Sequence, residues 1–455
     1  MHFPPADSFL PGLSIGSVKS IKTWNISWFA LQHSYFGQQC LHLFEFFFSM
    51  EKQSFSAGNA GPDIRSDCRV TYTPSDEPLS VTINSKVISM YGNSIRGQIM
   101  EILSFYDIRS GNILVEDTGA LPFVIAARTE AAIRMATGSA KEFILPKIQS
   151  AMEPPVRDRM RLTRLYVPGN TPKLMINAGI HQPDGLILDL EDSVAPEKKI
   201  EARILVRNAL CQVDFFGAER MVRINQYPAG REDLAAILPH NVHLILLPKT
   251  ESADQVRETE EFIKASGLTP DGRLPFFMPI IETALGIENA FSIASASGLV
   301  VAMAIGLEDY TADLGVVRTK EGSESLWARQ RLVNACKAAG IQAIDSVFSD
   351  IDDREGLVEN VNKSKALGFE GMGCIHPRQI ETIRSGYLPR QDEIEKALRI
   401  VEAFNQARER GLGVVALGSK MIDAPVVHRA LRTIDLARKF HLIDNNNMET
   451  HSGKE

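Results

Sequence analysis

The segments RLYVPG (164–169), GLILDLED (185–192) and RMVRIN (220–225) begin a regular alternation that decides the fold. Each segment is short and rich in apolar residues, and amphipathic stretches such as 253–265 lie between successive segments. Strands that alternate with helices are typical of a parallel sheet joined by crossover helices. The pattern recurs at HLILLPK (243–249), PFFMPIIET (275–283), LVVAMAIGLED (299–309), QAIDSVF (342–348) and GMGCIHP (371–377).

Eight such strands with helices between them predict a closed (β/α)₈ barrel, a TIM barrel of the α/β class. A doubly wound sheet is the alternative. That fold usually carries a GxGxxG fingerprint after its first strand, whereas this chain has PGN at 168–170. We therefore predict a TIM-barrel domain over residues 161–386, followed by a C-terminal helical segment and tail at 387–455.

The chain before the barrel divides into three parts. Residues 50–137 contain segments in which apolar and polar residues alternate and a segment with apolar residues at helical spacing, which together predict a small α+β domain. We expect segment 121–136 of this domain to begin extended and end as a helix. Residues 138–160 contain three prolines and no periodicity, which predicts a linker. Residues 1–49 are rich in Phe and nearly free of charge. We expect them to be either an untranslated upstream extension or a disordered or partner-binding arm.

The composition excludes several classes of protein. The formal net charge is −7 and no basic stripe is visible, whereas nucleic-acid-binding proteins normally carry a basic excess. No window approaches the roughly 18 consecutive apolar residues of a membrane span. The five cysteines show no CxxC spacing, which argues against a disulfide framework and fits a reducing compartment. We expect a cytoplasmic protein that binds neither nucleic acid nor membrane.

Polar residues cluster where the predicted barrel strands end, which is where TIM barrels place their chemistry. Most are acidic, and carboxylates gathered on one rim repel each other unless a cation joins them. Because the set contains one histidine and no cysteine, it favours a hard, oxygen-ligated ion such as Mg²⁺ over zinc. Taken singly, each acid is equally consistent with a solvated loop residue. The set is Asp189, Glu191, Asp192, Arg223, Asn225, Lys249, Glu282, Glu308, Asp309, Asp345, His376 and Arg378.

The motifs around these residues resemble the citrate lyase β-subunit family, which includes malyl-CoA and citramalyl-CoA lyases. The resemblance covers residues 161–435 and implies a Mg²⁺-dependent barrel that cleaves β-hydroxyacyl thioesters. In one departure, His376 precedes the proline of GCIHPRQI, where citrate lyases often carry an asparagine. The matching motifs are RLYVPGN, LILDLEDSV, VRIN, LPKT, IIETALGI, GLEDY, IDSV, GMGCIHPRQI and GSKMIDAPVV.

The resemblance implies roles for the strand-end residues. Glu282 and Asp309 would hold Mg²⁺, and Glu282 would also contact the substrate. Arg223 would bind a substrate carboxylate or the thioester oxygen as a catalytic group, with a structural salt bridge to Glu191 as the alternative. The acids of the second strand, Asp189, Glu191 and Asp192, would orient metal-bound waters or Arg223.

Two more residues receive expected roles. Arg164 would contact the thioester arm of the substrate, or would be structural. Asp423 lies beyond the barrel, and the resemblance implies that it enters a neighbouring subunit's active site as the acid/base, within a homo-oligomer such as a trimer or hexamer. An N-cap or turn role for Asp423 is the alternative.

The small domain has a resemblance of its own. INSKVISMYGNSIRGQIMEIL (83–103) and EDTGALPFVIAARTEAAIRMA (116–136) resemble the citrate lyase acyl carrier protein, the γ subunit. In that family a serine two positions before an aspartate carries phosphoribosyl-dephospho-CoA. The triplet here is Arg65-Ser66-Asp67, so the aligned position is an arginine. Either the attachment has shifted to Ser66, or the domain has lost its arm and the barrel uses soluble CoA thioesters.

Three functions follow. The first is a γ–β fusion of citrate lyase that cleaves a citryl thioester to oxaloacetate and an acetyl thioester, and that needs a citrate lyase α subunit for acyl exchange. The second is a stand-alone (S)-citramalyl-CoA or malyl-CoA lyase. The third is a non-catalytic subunit or scaffold of a lyase complex, which has no need of the Arg223, Glu282, Asp309 and Asp423 set.

Overall fold

The structure is a computed structural model that describes residues 53–269, 272–411, 413–417 and 420–443. The predicted N-terminal extension, 1–49, lies outside the described residues. The described residues from Ser54 onward form one compact unit. Within the described part of the chain, no helix combines the length and the apolar character needed to cross a membrane.

A small α+β domain comes first. It contains strands β1 (Phe55–Ala57), β2 (Cys68–Pro78), β3 (Ser80–Ser85) and β4 (Ser110–Asp117), with helices α1 (Ile88–Phe105) and α2 (Pro122–Thr137). The sheet order is β1-β2-β4-β3; β3 and β4 are parallel and the other pairs antiparallel. Helix α2 begins at Pro122, so the prediction that segment 121–136 starts extended is wrong. A proline suits the first turn of a helix because its φ is preset and its missing N–H has no partner to lose.

The barrel is built from eight parallel strands. They are β5 (Thr163–Pro168), β6 (Gly185–Asp189), β7 (Glu219–Arg223), β8 (Leu244–Leu247), β9 (Phe276–Ile281), β10 (Ala302–Ile305), β11 (Gln342–Ile344) and β12 (Met372–Cys374). Neighbours in the sheet are neighbours in sequence, and β12 returns to pair with β5. Asp345 pairs with Met372 beside β11 and β12, and its N–H donates to the carbonyl of Gly371 at 2.8 Å, which closes the barrel. The predicted TIM barrel and all eight of its strands are confirmed.

Helices surround the strands, and buried apolar side chains such as Ile187, Met221 and Leu244 fill the interior. The helices are α3 (Pro172–Asn177), α4 (Lys199–Gln212), α5 (Gly230–Ile237), α6 (Ala253–Ser266), α7 (Ala284–Glu288), α8 (Ala290–Ala294), α9 (Leu307–Asp313), α10 (Leu326–Ala339), α11 (Arg354–Leu367) and α12 (Arg378–Tyr387).

The C-terminal segment is helical, as predicted, but also contains a short hairpin. Helices α13 (Gln391–Glu409) and α14 (Ala424–Lys439) pack together, and strands β13 (Val415–Leu417) and β14 (Lys420–Ile422) pair between them. A buried apolar cluster that includes Ile400, Val427 and Ile434 joins the two helices.

Buried ion pairs join the small domain to the barrel. Arg207 on α4 donates to both oxygens of Glu130 on α2, at 2.9 and 2.6 Å. Arg128 on α2 pairs with Asp67 at 3.0 Å and donates to Asn170 Oδ1, just after β5, at 2.6 Å. The small domain therefore contacts the barrel at the end where the strands finish. These contacts join the predicted carrier-like domain to the predicted barrel domain. The sequence positions of the domain boundaries stay a prediction.

Segment 138–160, the predicted linker, contains one 3₁₀ turn, Gln149–Met152, and otherwise no helix or strand. It lies along the barrel. His243 Nε2 and Asn241 Nδ2 each bond the carbonyl of Glu153, at 2.9 and 2.6 Å. Lys147 Nζ donates to the carbonyl of Pro239 at 2.7 Å.

Candidate active site

A cavity of about 450 Å³ opens at the C-terminal ends of the barrel strands. A larger cavity of about 1310 Å³ lies by the C-terminal helices, and none of the predicted site residues is among the described residues that line it. We therefore assign the chemistry to the smaller one. Its lining includes Arg164, Tyr166, Asp189, Asp192, Arg223, Ile280, Glu282, Ala304, Gly306, Glu308, Asp309, Asp345 and Ser346.

Arg223 ends β7 and is held by three carboxylates. Its Nε and Nη2 donate to the two oxygens of Asp189, both at 2.7 Å. Its Nη1 lies 2.7 Å from Glu191 Oε2 and 3.1 Å from Asp192 Oδ2. The guanidinium also stacks on the ring of Tyr166, 5.4 Å from the ring centroid. The acids of the second barrel strand thus contact Arg223, and the salt bridge to Glu191 that was the alternative role is present.

Glu282 follows β9 and is buried, with Asp309 exposed to the cavity nearby. Its Oε2 accepts the backbone N–H of Lys249 at 3.0 Å. Burial, and then the negative charges of Asp309 and Glu191, raise the pKa of Glu282 to about 8. Gly306 leaves room for this carboxylate, because a Cβ there would lie 2.6 Å from Glu282 Cγ and 2.8 Å from Oε1.

This pair of carboxylates fits a magnesium ion. Mg²⁺ prefers oxygen ligands and usually binds one or two carboxylates while keeping several waters. Within the described residues, no group of three or more His, Cys, Asp or Glu side chains is arranged to hold a metal. The remaining ligands would therefore come from water and substrate. A cation here would also relieve the repulsion that raises the pKa of Glu282.

The structure adds Lys249 and Tyr166 to the site, although the sequence predicted no role there for either residue. Lys249 Nζ bonds Glu191 Oε1 at 2.8 Å, and this bond raises the pKa of the lysine. Lys249 was predicted only as a strand-end residue without a role. Tyr166 was missed. Tyr166 could have been found from the alternation of side chains along β5, because Arg164, Tyr166 and Pro168 occupy every second position and all face the cavity.

Arg164 lies in the cavity wall and is only 1% exposed. Its Nη1 donates to Met278 Sδ at 2.9 Å, and its Nε has no hydrogen-bond partner. Burial lowers the pKa of this guanidinium. In the part of the chain that the structure describes, no carboxylate pairs with Arg164.

Several predicted residues lie outside the cavity lining. Asp423 is the N-cap of α14, and its Oδ1 accepts the N–H of Val426 at 3.2 Å. A single chain therefore does not bring Asp423 to its own cavity. Arg378 is 75% exposed, because the chain turns into α12 directly after His376 and Pro377.

Ser66 lies in the loop between β1 and β2. It has a left-handed backbone, with φ of 59°, and its N–H donates to the carbonyl of Thr118 at 3.3 Å. The side chain is half-buried, and that of Arg65, at the aligned attachment position, is exposed. Asp67, the next residue, is buried against Arg128.

The comparisons with known proteins agree with this geometry. Residues 162–377 match the profile described as HpcH/HpaI aldolase/citrate lyase, and residues 56–136 match that of the malonate decarboxylase delta subunit (MdcD). The citrate lyase subunit beta of Leuconostoc mesenteroides subsp. cremoris is 38% identical over 298 residues, which cover 63% of this chain and 97% of that protein. The chain belongs to the HpcH/HpaI aldolase/citrate lyase family.

Other members of this family of carbon–carbon lyases are nearly as similar. The mitochondrial citramalyl-CoA lyase of Homo sapiens is 34% identical over 60% of this chain and 84% of that protein. The crystal structure of CitE from Mycobacterium tuberculosis, in complex with magnesium, acetoacetate and coenzyme A, is 32% identical. It covers 62% of this chain and 100% of its own, with a TM-score of 0.53. The predicted family and the carrier-like domain are confirmed.

Proposed function

We propose that this chain is a magnesium-dependent lyase that cleaves a citryl thioester to oxaloacetate and an acetyl thioester. The observation that carries the proposal is the convergence of Arg223, Glu282 and Asp309 on one cavity at the C-terminal end of a barrel of this family. A scaffold has no need of a cationic group and two crowded carboxylates in one pocket.

The reaction is a retro-Claisen cleavage. The bond between the hydroxyl-bearing carbon and the methylene next to the thioester carbonyl breaks, and its electrons pass into an enolate. The hydroxyl loses its proton and becomes the ketone of oxaloacetate. A proton returned to the methylene carbon completes the acetyl group.

Each residue has a proposed part in this reaction. Glu282 and Asp309 would hold a magnesium ion, whose contribution would be Lewis-acid polarisation of a substrate oxygen. Arg223, already oriented by its carboxylates, places positive charge where a substrate oxygen becomes negative. Asp423 of a neighbouring subunit, in a homo-oligomer such as a trimer or hexamer, protonates the enolate carbon.

The carrier domain defines how the substrate is presented. With phosphoribosyl-dephospho-CoA on Ser66, the chain is a γ–β fusion that works in the cytoplasm with a citrate lyase α subunit. In the alternative arrangement, which the arginine at the aligned attachment position leaves open, the domain carries no arm and free CoA esters enter the barrel directly. Intact mass of the natural protein separates the two arrangements, because only the first adds a prosthetic-group increment at Ser66.

The proposal is tested with purified full-length protein and citryl-CoA, citramalyl-CoA and malyl-CoA, with and without Mg²⁺. We expect cleavage of citryl-CoA that requires Mg²⁺ and is abolished in Glu282→Gln. Glu288→Gln, an exposed residue on the helix after the same strand, is the matched control and should keep full activity. Magnesium-independent turnover, or activity in Glu282→Gln, would contradict the proposal.

A further inference from the structure

Arg164 is a buried cation without a counter-ion. Four other buried arginines of the described residues have one: Arg128, Arg161, Arg207 and Arg329 pair with Asp67, Glu219, Glu130 and Asp345, respectively, and each of these acids is buried. A fifth, Arg220, has no carboxylate partner but donates to the backbone carbonyls of Asn241 and Leu210. Arg164 instead donates to the thioether of Met278, which is a weak acceptor, and leaves its Nε unpaired.

An unpaired charge in a barrel interior is costly, because burial removes its hydration and nothing replaces it. Met278, the hydrogen-bond partner of Arg164, belongs to the apolar cluster of the barrel interior that also contains Ile280 and Ala304. The guanidinium nevertheless lines the same cavity as Arg223 and Glu282, two residues along β5 from Tyr166. An anionic group that enters this cavity would therefore supply the missing partner.

We infer that Arg164 is a specificity-determining residue that binds the distal carboxylate of the substrate and thereby selects citryl over citramalyl and malyl thioesters. This inference rests on the proposed function. The three substrates share the carboxylate next to the hydroxyl and differ at one branch, which is a carboxymethyl group in citryl, a methyl in citramalyl and a hydrogen in malyl. Only the citryl branch carries a charge that can pair with Arg164, and a guanidinium matches carboxylate geometry.

The first test changes Arg164 to methionine, which keeps a long side chain and removes the charge. We expect kcat/KM for citryl-CoA to fall by about 10²–10³-fold, as when one partner of a buried ion pair is removed. The value for citramalyl-CoA should change by less than about threefold, because its methyl branch makes no use of the charge. An unchanged ratio of the two values would overturn the inference while the lyase function stands.

The second test needs no turnover. Calorimetry with Mg²⁺ present compares oxaloacetate with pyruvate, the keto acids that carry and lack the distal carboxylate. We expect the wild-type protein to bind oxaloacetate more tightly and Arg164→Met to lose that difference. If the protein cleaved none of the thioesters, the proposed function would fail. The difference in affinity between oxaloacetate and pyruvate would still show whether Arg164 binds the distal carboxylate. Equal binding of the two keto acids by the wild-type protein would overturn the inference.

Thermal unfolding separates a ligand-binding role from a structural one. Arg164→Met removes an unpaired buried charge, so its Tm should rise by a few degrees. Arg161→Met, two residues before the same strand begins, leaves Glu219 buried and unpaired, so its Tm should fall. A fall in Tm for both variants would mark Arg164 as structural.

Discussion

Arg223 is oriented before any substrate arrives. Its Nε, Nη1 and Nη2 all contact carboxylates, and the ring of Tyr166 supports its flat face. A preorganised cation of this kind does not need to be reoriented as charge develops in the reaction. The simultaneous contacts of Arg223 with its carboxylates depend on the planar fork of the guanidinium, which an ammonium group lacks.

We therefore predict that Arg223→Lys lowers kcat/KM for citryl-CoA by on the order of 10²–10³-fold. A lysine cannot span both oxygens of Asp189 and also reach Glu191. Steady-state kinetics with Mg²⁺ measure the effect. Arg378→Lys is the matched control, because Arg378 follows a barrel strand but is 75% exposed outside the cavity lining. Equal effects of the two changes would remove Arg223 from the proposed mechanism.

Gly306 gives a second prediction at this scale. In Gly306→Ala the new methyl group would overlap the Glu282 carboxylate and displace it. We expect Mg²⁺ affinity, measured by calorimetry, to weaken and turnover to fall by on the order of 10²-fold. Gly298→Ala is the control, since nothing lies within 4 Å of its added Cβ. Full Mg²⁺ affinity in Gly306→Ala would show that the close fit around Glu282 is not required.

Strand-end position was enough to predict the main parts of this site. Arg223, Glu282 and Asp309 could be found because a barrel brings its strand ends together whatever the helices do. The partners of Arg223, the bond from Lys249 to Glu191 and the isolation of Arg164 could not be found, because they depend on which side chains meet across different strands. His376 and Arg378 also follow a barrel strand, but they lie outside the cavity lining because the chain turns into α12 at that point.

At the scale of elements, helix α2 has an unusual role. It is almost entirely buried, and it carries Arg128 and Glu130, which form buried ion pairs with Asp67 and with Arg207 of α4, respectively. In the sequence, charges on a helix indicate a solvent-facing side, so the docking of α2 on α4 was not predictable. The hairpin β13–β14 was missed for a different reason, since three-residue strands are too short to show a period.

We predict that Glu130→Ala destabilises the protein by about 3–5 kcal/mol, because it removes both short contacts of buried Arg207 and leaves it only Glu142, at 3.5 Å. Urea unfolding measures this change. The double variant Glu130→Leu with Arg207→Met removes both charges and should recover much of the loss. Arg390→Ala, in an exposed pair with Asp392, is the control and should change stability little. If Glu130→Ala were as stable as the control, the ion pair would not hold the small domain to the barrel.

At the scale of the whole molecule, Asp423 caps its own helix and is proposed to act in a neighbour's site. Asn caps helices about as well as Asp, but it cannot donate a carboxyl proton. We predict that Asp423→Asn keeps the wild-type Tm and loses turnover. Mixed oligomers of Asp423→Asn with Glu282→Gln should regain activity, because some sites then combine an intact Glu282 with an intact Asp423. Full activity of Asp423→Asn alone would leave Asp423 with its capping role only.

The proposed function requires that this cavity breaks a carbon–carbon bond of a citryl thioester. The most direct measurement is mass spectrometry of the products formed from citryl-CoA with Mg²⁺ in D₂O. We predict oxaloacetate together with acetyl-CoA that carries one deuterium, because the enolate carbon takes its proton from a group that exchanges with solvent. Citrate together with free CoA, the products of thioester hydrolysis, would contradict it.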